Sequence, residues 1–371
     1  MIYAILAYLT YPFVFFASRF RKRRDGSILV FQTAKIGDMI CTTPVFREIK
    51  KAYPKSRLGV VIDPVAFPVI EHNPYIDEII ILDGKAKKGL KGKRAFAKQI
   101  SEKGYSTALI LMPNVTNIMA AYWAGIPKRI AVYPDYSGRT LKKLMKLNTH
   151  VEYHLNPRMS METFLRSLKH LGIDKYELQK EVYQSSEAEA KVAAVFKRSG
   201  PCIGLVLGTG NELKDWGKNN FLTLAGKILE NTEATIVLLG SEKDRQTGEE
   251  LATFVGNSKR VVNYCGLFSL TELPALMRKL SLVIGVDTGL IYMADSLDVP
   301  VIDIAGPCDM NDQRPIGKQS QIVQEKGYSC IPCSHTFSTP YKCRFGHKNC
   351  VTEITPDTVL KSVLKIIPET R

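Results

Sequence analysis

Residues 27–53 read SILVFQTAKIGDMICTTPVFREIKKAY. The run at 27–33 is short, branched and apolar, which is typical of a buried parallel strand, and the apolar spacing of 43–53 predicts a helix. The loop between them has one glycine, Gly37, followed directly by Asp38. A nucleotide-binding turn in a doubly wound fold usually contains several glycines. The stretch therefore predicts a strand–loop–helix unit whose loop presents a carboxylate where such folds normally bind phosphate.

Similar units follow along the whole chain of 371 residues. In the first half, apolar runs at 58–63, 77–82 and 107–112 predict further strands, and 93–104 predicts a helix. In the second half, strands are predicted at 202–208, 234–240, 282–287 and 299–306, and helices at 219–230, 244–255 and 270–280. Alternating strands and helices in two series predict an α/β protein with two doubly wound domains.

Domain boundaries follow from this alternation. Residues 1–26 form an apolar segment with a basic flank, 27–186 a first domain ending in a polar, helical connector from about residue 150, and 187–371 a second domain. Ligand binding is expected in a cleft between the two domains.

The formal charge of +15 is distributed unevenly. Residues 1–185 contain 30 Lys and Arg against 15 Asp and Glu, which leaves 51 − 30 = 21 basic and 36 − 15 = 21 acidic residues for the remainder. This asymmetry indicates an anionic partner of the first half: a nucleic acid, an anionic lipid or a phosphorylated substrate. A solvated basic surface is the alternative. The stretch KAKKGLKGKR at 85–94 is expected to be a mobile basic loop, either gripping anionic groups or simply solvated.

The first eighteen residues contain no charge, and RFRKRR follows at once. A membrane span needs about 20 apolar residues, so this run is marginal, and Pro12 interrupts it. A cleavable signal would carry its positive charge before the apolar region. We expect residues 1–18 to anchor the chain to the cytoplasmic face of the inner membrane, with the basic cluster on anionic headgroups. Whether they span the bilayer or lie in it stays open, and a buried soluble helix is the alternative.

Eight cysteines in a cytoplasmic chain are expected to be mostly reduced. Four of them, Cys330, Cys333, Cys343 and Cys350, are clustered with His335 and His347 in between. Their spacing leaves a structural zinc site and a reduced or redox-active cluster both open.

Residues just past strand ends carry most of the functional signal, because ligands of open α/β sheets bind there. Asp38 lies where a general base is expected, although an ordinary acid in the first turn of a helix would explain the residue equally well. In the second half, Gly208, Thr209, Gly210 and Lys214 combine small residues, a hydroxyl and a cation before a helix, which suits phosphate. Glu242 is placed to bind a ribose, or is an exposed helix acid. Asp287, Thr288 and Gly289 repeat the pattern before another helix.

Three separated motifs resemble the heptosyltransferases of glycosyltransferase family 9: IGDMICTTPVFREIKKAYP, LGTGNELKDWG and GVDTGLIYMADSLDVPVIDIAGP. The resemblance runs from about Ser27 to the end of the chain. It implies a GT-B fold, two Rossmann-like domains facing across a cleft. It also implies inverting transfer of a sugar from a nucleotide diphosphate donor, without a catalytic metal or other cofactor. ADP-heptose is the expected donor, and a lipid-linked anionic glycan of the lipopolysaccharide core is the expected acceptor.

The resemblance also assigns roles to individual residues. Asp38 matches the catalytic base, and Lys214 the lysine that neutralises the diphosphate. The implied donor-binding set is Thr209, Gly210, Lys214, Glu242, Asp287, Thr288, Gly289 and Tyr292. Two positions depart from the family pattern: Tyr292 replaces a common histidine, and Gly210 stands where a second hydroxyl is common. Lys35, Lys88, Lys91 and Arg94 are the expected acceptor contacts.

Other functions are weaker predictions. The same fold with a different nucleotide sugar is one alternative, and a non-catalytic scaffold on an anionic membrane is another. Nucleic-acid binding is disfavoured because no recognition motif accompanies the charge. A dehydrogenase is disfavoured because no GxGxxG follows any strand.

Overall fold

The computed structural model describes residues 2–20, 23–134 and 137–367. The chain divides into two compact units, Met1–Gln179 and Lys180–Arg371. Within the described residues, each unit contains a six-stranded parallel sheet. The expectation of two α/β domains with parallel sheets is confirmed.

The sheet of the first unit has the strand order β3-β2-β1-β4-β5-β6, which is the doubly wound order of dinucleotide-binding folds. Its strands are β1 (Arg24–Gln32), β2 (Leu58–Ile62), β3 (Glu78–Ile81), β4 (Tyr105–Ile110), β5 (Lys128–Pro134) and β6 (His150–His154). In the central pairing Leu29 lies opposite Gly59 and Ala108. The strand order reverses between β1 and β4, so the loops after these two strands flank the usual ligand position.

The second unit repeats this topology as β12-β11-β10-β7-β8-β9. Its strands are β7 (Cys202–Val206), β8 (Thr235–Leu239), β9 (Val261–Asn263), β10 (Leu282–Val286), β11 (Val301–Ile304) and β12 (Gln321–Val323). Here the strand order reverses between β7 and β10, where the loops carrying Lys214 and Asp287 begin.

Helices connect the strands in both units. In the first unit they are α1 (Ile2–Phe20), α2 (Ile36–Ile40), α3 (Thr43–Ala52), α4 (Phe67–Ile70), α5 (Gly84–Lys87), α6 (Gly89–Glu102), α7 (Val115–Trp123), α8 (Arg139–Met145) and α9 (Ser160–Arg166). In the second unit they are α10 (Ser186–Val195), α11 (Lys218–Asn231), α12 (Arg245–Phe254), α13 (Leu273–Met277), α14 (Gly289–Ser296), α15 (Asn349–Thr352) and α16 (Pro356–Leu364). Short 3₁₀ turns lie at Pro64–Ala66, Ser167–Leu171, Glu212–Lys214 and Glu242–Asp244.

Two expectations about local structure are wrong. The connector does not begin as a helix, since residues 150–154 form the edge strand β6, which pairs with β5. Strand β5 was itself not predicted, because it begins with the charged residues Lys128 and Arg129 and so lacks a continuous apolar run. Residues 85–94 are not a loop, because all of them except Lys88 belong to α5 or α6. The Asp83 side chain accepts from the Ala86 N–H and caps α5, and Lys93, Phe96 and Ile100 form a buried stripe along α6.

Helix α1 occupies most of the predicted N-terminal segment. Among residues 2–20, 23–134 and 137–367, no helix combines the length and apolar character that crossing a bilayer requires. Membrane association of this segment stays a prediction. Met1 and residues 21–22 of the basic flank lie outside the described residues.

The eight cysteines are free thiols. Within the described part of the chain, no group of three or more His, Cys, Asp or Glu side chains is arranged to hold a metal ion, so the zinc hypothesis for the late cysteines gains no support.

Candidate functional site

The site in the second unit begins in the loop after β7. The Asn211 side chain accepts from the Leu213 N–H at 3.0 Å and caps the 3₁₀ turn that ends at Lys214. The Thr209 hydroxyl accepts from the Asn211 N–H at 3.2 Å, which tightens the same loop. Gly210 is exposed, with open space where a side chain would begin. The loop thus fixes the backbone on both sides of an accessible glycine and holds Lys214 at the sheet edge.

Lys214 and Asp287 form an ion pair at this edge, in which the carboxylate is buried and the lysine side chain is 17% exposed. The Lys214 ammonium also donates to the Asp287 main-chain carbonyl at 3.2 Å. The Asp287 carboxylate accepts further from the Tyr292 phenol and the Cys308 thiol. Two residues that were predicted to bind the sugar donor, and that follow separate strands, therefore contact each other, and Tyr292 of α14 hydrogen-bonds to the pair.

Charge stabilisation dominates the electrostatics of this pair. Burial raises the pKa of Asp287, but the charge of the Lys214 ammonium and the hydrogen bonds from Lys214, Cys308 and Tyr292 together outweigh it and hold that pKa below its ordinary value. Burial likewise opposes the charged form of Lys214, and the Asp287 carboxylate raises its pKa above the usual range. The lysine is thus a fixed positive charge at neutral pH, as a site for a diphosphate requires.

Thr288 and Gly289 begin α14 directly after Asp287. Thr288 precedes the first turn in an extended conformation, and its buried hydroxyl has no hydrogen-bond partner among the described residues. A helix N-terminus presents unpaired N–H groups and positive potential to an anion. The hydroxyl and the helix start are therefore both available next to Lys214.

Glu242 follows β8, as predicted, but it is exposed and pairs with Arg245 at 2.7 Å. This hydrogen-bonded pairing lowers the pKa of Glu242. Nearby, Gly208 lies against Asp244, where a Cβ atom would come within 2.5 Å of the carboxylate. No contact joins Glu242 to the Lys214–Asp287 pair among the contacts of the described residues, so a ribose contact at Glu242 stays a prediction.

In the first unit, Asp38 lies in the first turn of α2 and is half-buried. Two buried side chains brace its loop. The Gln32 amide donates to the Thr42 hydroxyl at 2.7 Å, and that hydroxyl donates to the Asp38 main-chain carbonyl at 2.8 Å. The carboxylate is therefore presented from a backbone that is tied to the end of β1.

The predicted acceptor residues Lys35, Lys88, Lys91 and Arg94 are all exposed or half-buried. Lys35 precedes α2, while the other three lie at the start of α6 or just before it. The role of these four residues in acceptor binding stays a prediction.

Asp303 is a buried acid that sequence reasoning missed. It lies on β11 opposite Gly285 of β10, and neither carboxyl oxygen has a hydrogen-bond partner among the described residues. Burial, with a further contribution from the Asp287 charge, raises the pKa of Asp303 well above its ordinary value. An acid inside the strand sequence VIDI was the available signal. The surroundings of Asp303, which include the Asp287 carboxylate, therefore favour its neutral form.

Replacing Asp303 with asparagine is expected to stabilise the protein at neutral pH. The unfolded chain ionises Asp303 above about pH 3.9, whereas the raised pKa in the folded protein keeps the carboxyl protonated to higher pH. The free energy of unfolding therefore falls by up to about 1.4 kcal/mol per pH unit as pH rises from about 3.9 towards the pKa of the folded protein. The introduced asparagine does not titrate, and the gain should vanish near pH 4. Thermal melts of both proteins between pH 4 and pH 8 check this.

The matched control is Asp295→Asn. Asp295 is equally buried but pairs with Lys180 and accepts from the Gly317 N–H at 2.8 Å, so its neutralisation should destabilise the protein at neutral pH. A difference in Tm between the wild type and Asp303→Asn that stays constant across the pH range would contradict a raised pKa of Asp303.

Two doubly wound domains, one with a half-buried lysine and a helix N-terminus at its switch point, are typical of nucleotide-dependent α/β enzymes. The sequence model of glycosyltransferase family 9 (heptosyltransferase) matches residues 93–343. The chain belongs to this family and is a glycosyltransferase.

Relatives and solved structures agree with this assignment. Lipopolysaccharide heptosyltransferase 2 of Salmonella typhimurium is 21% identical over 351 residues, which cover 92% of this chain and 99% of that protein. A family 9 glycosyltransferase structure from Veillonella parvula has a TM-score of 0.74 at 21% identity, covering 93% of this chain and 98% of that one. An Escherichia coli heptosyltransferase solved with ADP-2-deoxy-2-fluoro heptose has a TM-score of 0.68 at 17% identity, with 91% and 99% covered. At these identities the solved structures establish the fold, which is that of the GT-B heptosyltransferases.

Proposed function

We propose that this enzyme transfers a sugar, with inversion, from a nucleotide diphosphate sugar to a lipid-linked anionic acceptor in the synthesis of lipopolysaccharide core or a related surface glycan. Heptose from ADP-heptose is the proposed donor. The observation that carries the proposal is the Lys214 ammonium held on Asp287, directly before Thr288, whose hydroxyl at the start of α14 has no hydrogen-bond partner among the described residues. These groups match a diphosphate in charge and in hydrogen-bonding capacity.

In the donor half of the reaction, Lys214 exchanges part of its contact with Asp287 for a diphosphate oxygen. The Thr288 hydroxyl donates a hydrogen bond to the same group, and the first N–H groups of α14 complete the contact. Negative charge grows on the diphosphate as its bond to the anomeric carbon breaks, so these fixed donors stabilise the transition state more than the ground state. No metal is proposed for this step, because the lysine supplies the positive charge.

In the acceptor half, the Asp38 carboxylate removes the proton of the acceptor hydroxyl as its oxygen attacks the anomeric carbon. The new glycosidic bond forms on the face opposite the leaving diphosphate, which inverts the configuration. General-base assistance of this kind contributes about 10²–10⁴-fold. The braced loop after β1 supports the role, since it limits the positions that Asp38 can take.

A second candidate is transfer of a different sugar by the same chemistry. Tyr292 favours it, because the phenol at a position where family members often carry histidine is buried and bound to Asp287. A changed contact next to the diphosphate site is a reason for a changed donor. The cytoplasmic face of the inner membrane is the proposed location, on the strength of the uncharged first eighteen residues and the basic stretch after them.

The test is a donor panel with the purified full chain. Calorimetry should detect binding of ADP-heptose and of ADP, and transfer to delipidated core acceptor should appear by mass spectrometry. A different nucleotide sugar that turns over while ADP-heptose does not would support the second candidate. If no nucleotide sugar binds or turns over, the scaffold alternative gains and the catalytic proposal fails.

A further inference from the structure

Helix α1 has one face that is exposed and strongly apolar. Ile5, Leu9, Pro12 and Phe16 follow one another at spacings of four, three and four residues, so they share a face. The side chains of Ile5, Leu9 and Phe16 are 54%, 67% and 61% exposed. A continuous exposed apolar stripe on a helix marks an interaction surface.

The opposite face of α1 is fixed to the first unit. Ala7 is fully buried, and its main-chain carbonyl accepts from the Tyr122 hydroxyl at 3.0 Å. One turn later, the Trp123 indole donates to the Thr10 hydroxyl at 3.2 Å. Both partners lie at the end of α7. Since these contacts tie the middle of α1 along the surface of the unit, the apolar stripe faces outward along the length of the helix.

The surroundings of α1 are basic. Helix α8 packs beside it, and Arg139, Lys142 and Lys146 lie on α8 or directly after it with exposed or half-buried side chains. Exposed cations around an apolar stripe are the pattern of a helix that lies in the headgroup region of an anionic leaflet. A protein partner that covered only the stripe would leave this charge without a function, so the charge favours a membrane as the occupant.

The N-terminal end of α1 contributes to a pocket of about 450 Å³. Tyr3 lines it together with Thr33, Lys87, Lys93 and Asn114. These residues lie past the ends of β1, β3 and β4, which is the ligand-bearing edge of the sheet. The volume lies within the range of small-molecule sites.

The polar groups of this pocket are held in place. The Lys93 ammonium donates to the Lys87 carbonyl at 2.6 Å and lies 5.4 Å from the centre of the Tyr3 ring. Burial lowers the pKa of Lys93. Thr33 accepts from the Asn117 amide at 2.8 Å. The Lys87 ammonium pairs with Asp63. The aromatic wall, the Lys93 ammonium and the neutral hydrogen-bonding groups suit a sugar that carries a phosphate or carboxylate.

We propose that α1 lies in the plane of an anionic membrane leaflet, with the Ile5–Leu9–Pro12–Phe16 stripe in the acyl region, and that its Tyr3 end forms the wall of the pocket that receives the anionic glycan head of a lipid-linked acceptor. The membrane contact stands on the exposed stripe and the basic surroundings alone. The identity of the pocket's ligand rests on the proposed glycosyltransferase function.

Vesicle binding tests the membrane contact without any turnover. The full chain is sedimented with vesicles of phosphatidylglycerol and phosphatidylethanolamine, and with phosphatidylcholine vesicles of equal size. The wild type should bind the anionic vesicles. Leu9→Asp and Ile5→Asp should each weaken binding about tenfold or more, because each places a charge where the proposal has an aliphatic side chain inserted in the acyl region. The control is Phe254→Asp on α12, a side chain that is 62% exposed on the second unit, and it should bind like the wild type.

Two results would overturn the membrane contact. One is equal binding of the wild type and the stripe variants. The other is a stable dimer in light scattering that Leu9→Asp converts to monomer without a change in vesicle binding, which would make a second copy of the chain the occupant.

The pocket is tested by kinetics. Tyr3→Ala should raise KM for the lipid-linked acceptor about tenfold or more while leaving the calorimetric affinity for ADP unchanged. Leu9→Asp should slow transfer only to acceptor in vesicles and not to delipidated acceptor. Unchanged acceptor KM in Tyr3→Ala would exclude the pocket. Absence of turnover in the wild type would instead reject the proposed function, while the vesicle result would stand.

Discussion

Replacing Lys214 with methionine is expected to lower sugar transfer by about 10²-fold or more and to weaken ADP binding, because it removes the cation proposed to bind the diphosphate. Methionine keeps the length and apolar stem of the side chain, so the loss reports on charge. Steady-state kinetics with acceptor in excess, together with calorimetric titration of ADP, measure the two effects. Lys218→Met is the matched control, since Lys218 belongs to the same segment but forms an exposed pair with Glu250.

The same change should destabilise the second unit. Asp287 remains buried without its ion partner, and breaking a buried pair on one side costs about 3–5 kcal/mol. Lys214→Met with Asp287→Asn removes both charges and should recover much of that stability in urea unfolding, but not transfer. A double variant that recovers transfer as well as stability would show that Lys214 acts only by holding Asp287.

The stability that this ion pair contributes depends on pH through the titration of Asp287. Its pKa in the folded protein lies below the ordinary value near 3.9, so the stability it contributes is fully present above that pH and is lost as pH falls further. Lys214 has a raised pKa and loses its contribution only at strongly alkaline pH. The site therefore keeps its charge pattern over the whole range in which a nucleotide diphosphate is ionised.

The sequence predicts the fold well where residues are apolar and parallel strands are buried. The runs at 58–63 and 282–287 are continuous apolar stretches, and both form internal strands of their sheets. Strands β6 and β12 lie at sheet edges, where one side is exposed and an apolar pattern is not required. Helix α5 and the first turn of α6 were hidden by their lysines, whereas the rest of α6, with the buried Phe96 and Ile100, lies in the stretch 93–104 that was predicted to be helical.

Site residues are predictable from strand ends, but their partners are not. The sequence places Lys214 and Asp287 in separate motifs, and only the parallel order of β7 and β10 brings their loops together. Tyr292 was implied by the family resemblance, but its hydrogen bond to Asp287 was not, and no local pattern indicates that Cys308, in the loop after β11, belongs to the same cluster. Asp303 breaks the rule that buried polar groups are paired, and its one sequence signal, an acid inside the apolar strand sequence VIDI, does not show what the residue does.

Asp38→Asn is the decisive test of the acceptor half, and it is expected to lower transfer by about 10²–10⁴-fold. Asparagine keeps the shape of the side chain and can still accept hydrogen bonds, but it cannot take the proton of the acceptor hydroxyl. The residues proposed to bind the donor all belong to the second unit, so calorimetric affinity for ADP should stay at the wild-type value.

Asp83→Asn is the matched control for this loss. Asp83 is a second acid at the same edge of the sheet, following β3, and its role is to accept from the Ala86 N–H, which an asparagine oxygen does equally well. Transfer by Asp83→Asn should therefore match the wild type. If Asp38→Asn loses ADP binding in proportion to transfer, Asp38 has a structural role, since loss of a base leaves donor affinity intact. If it keeps wild-type transfer, another group takes the proton, and the carboxylate after Gly37 is simply a first-turn acid of α2.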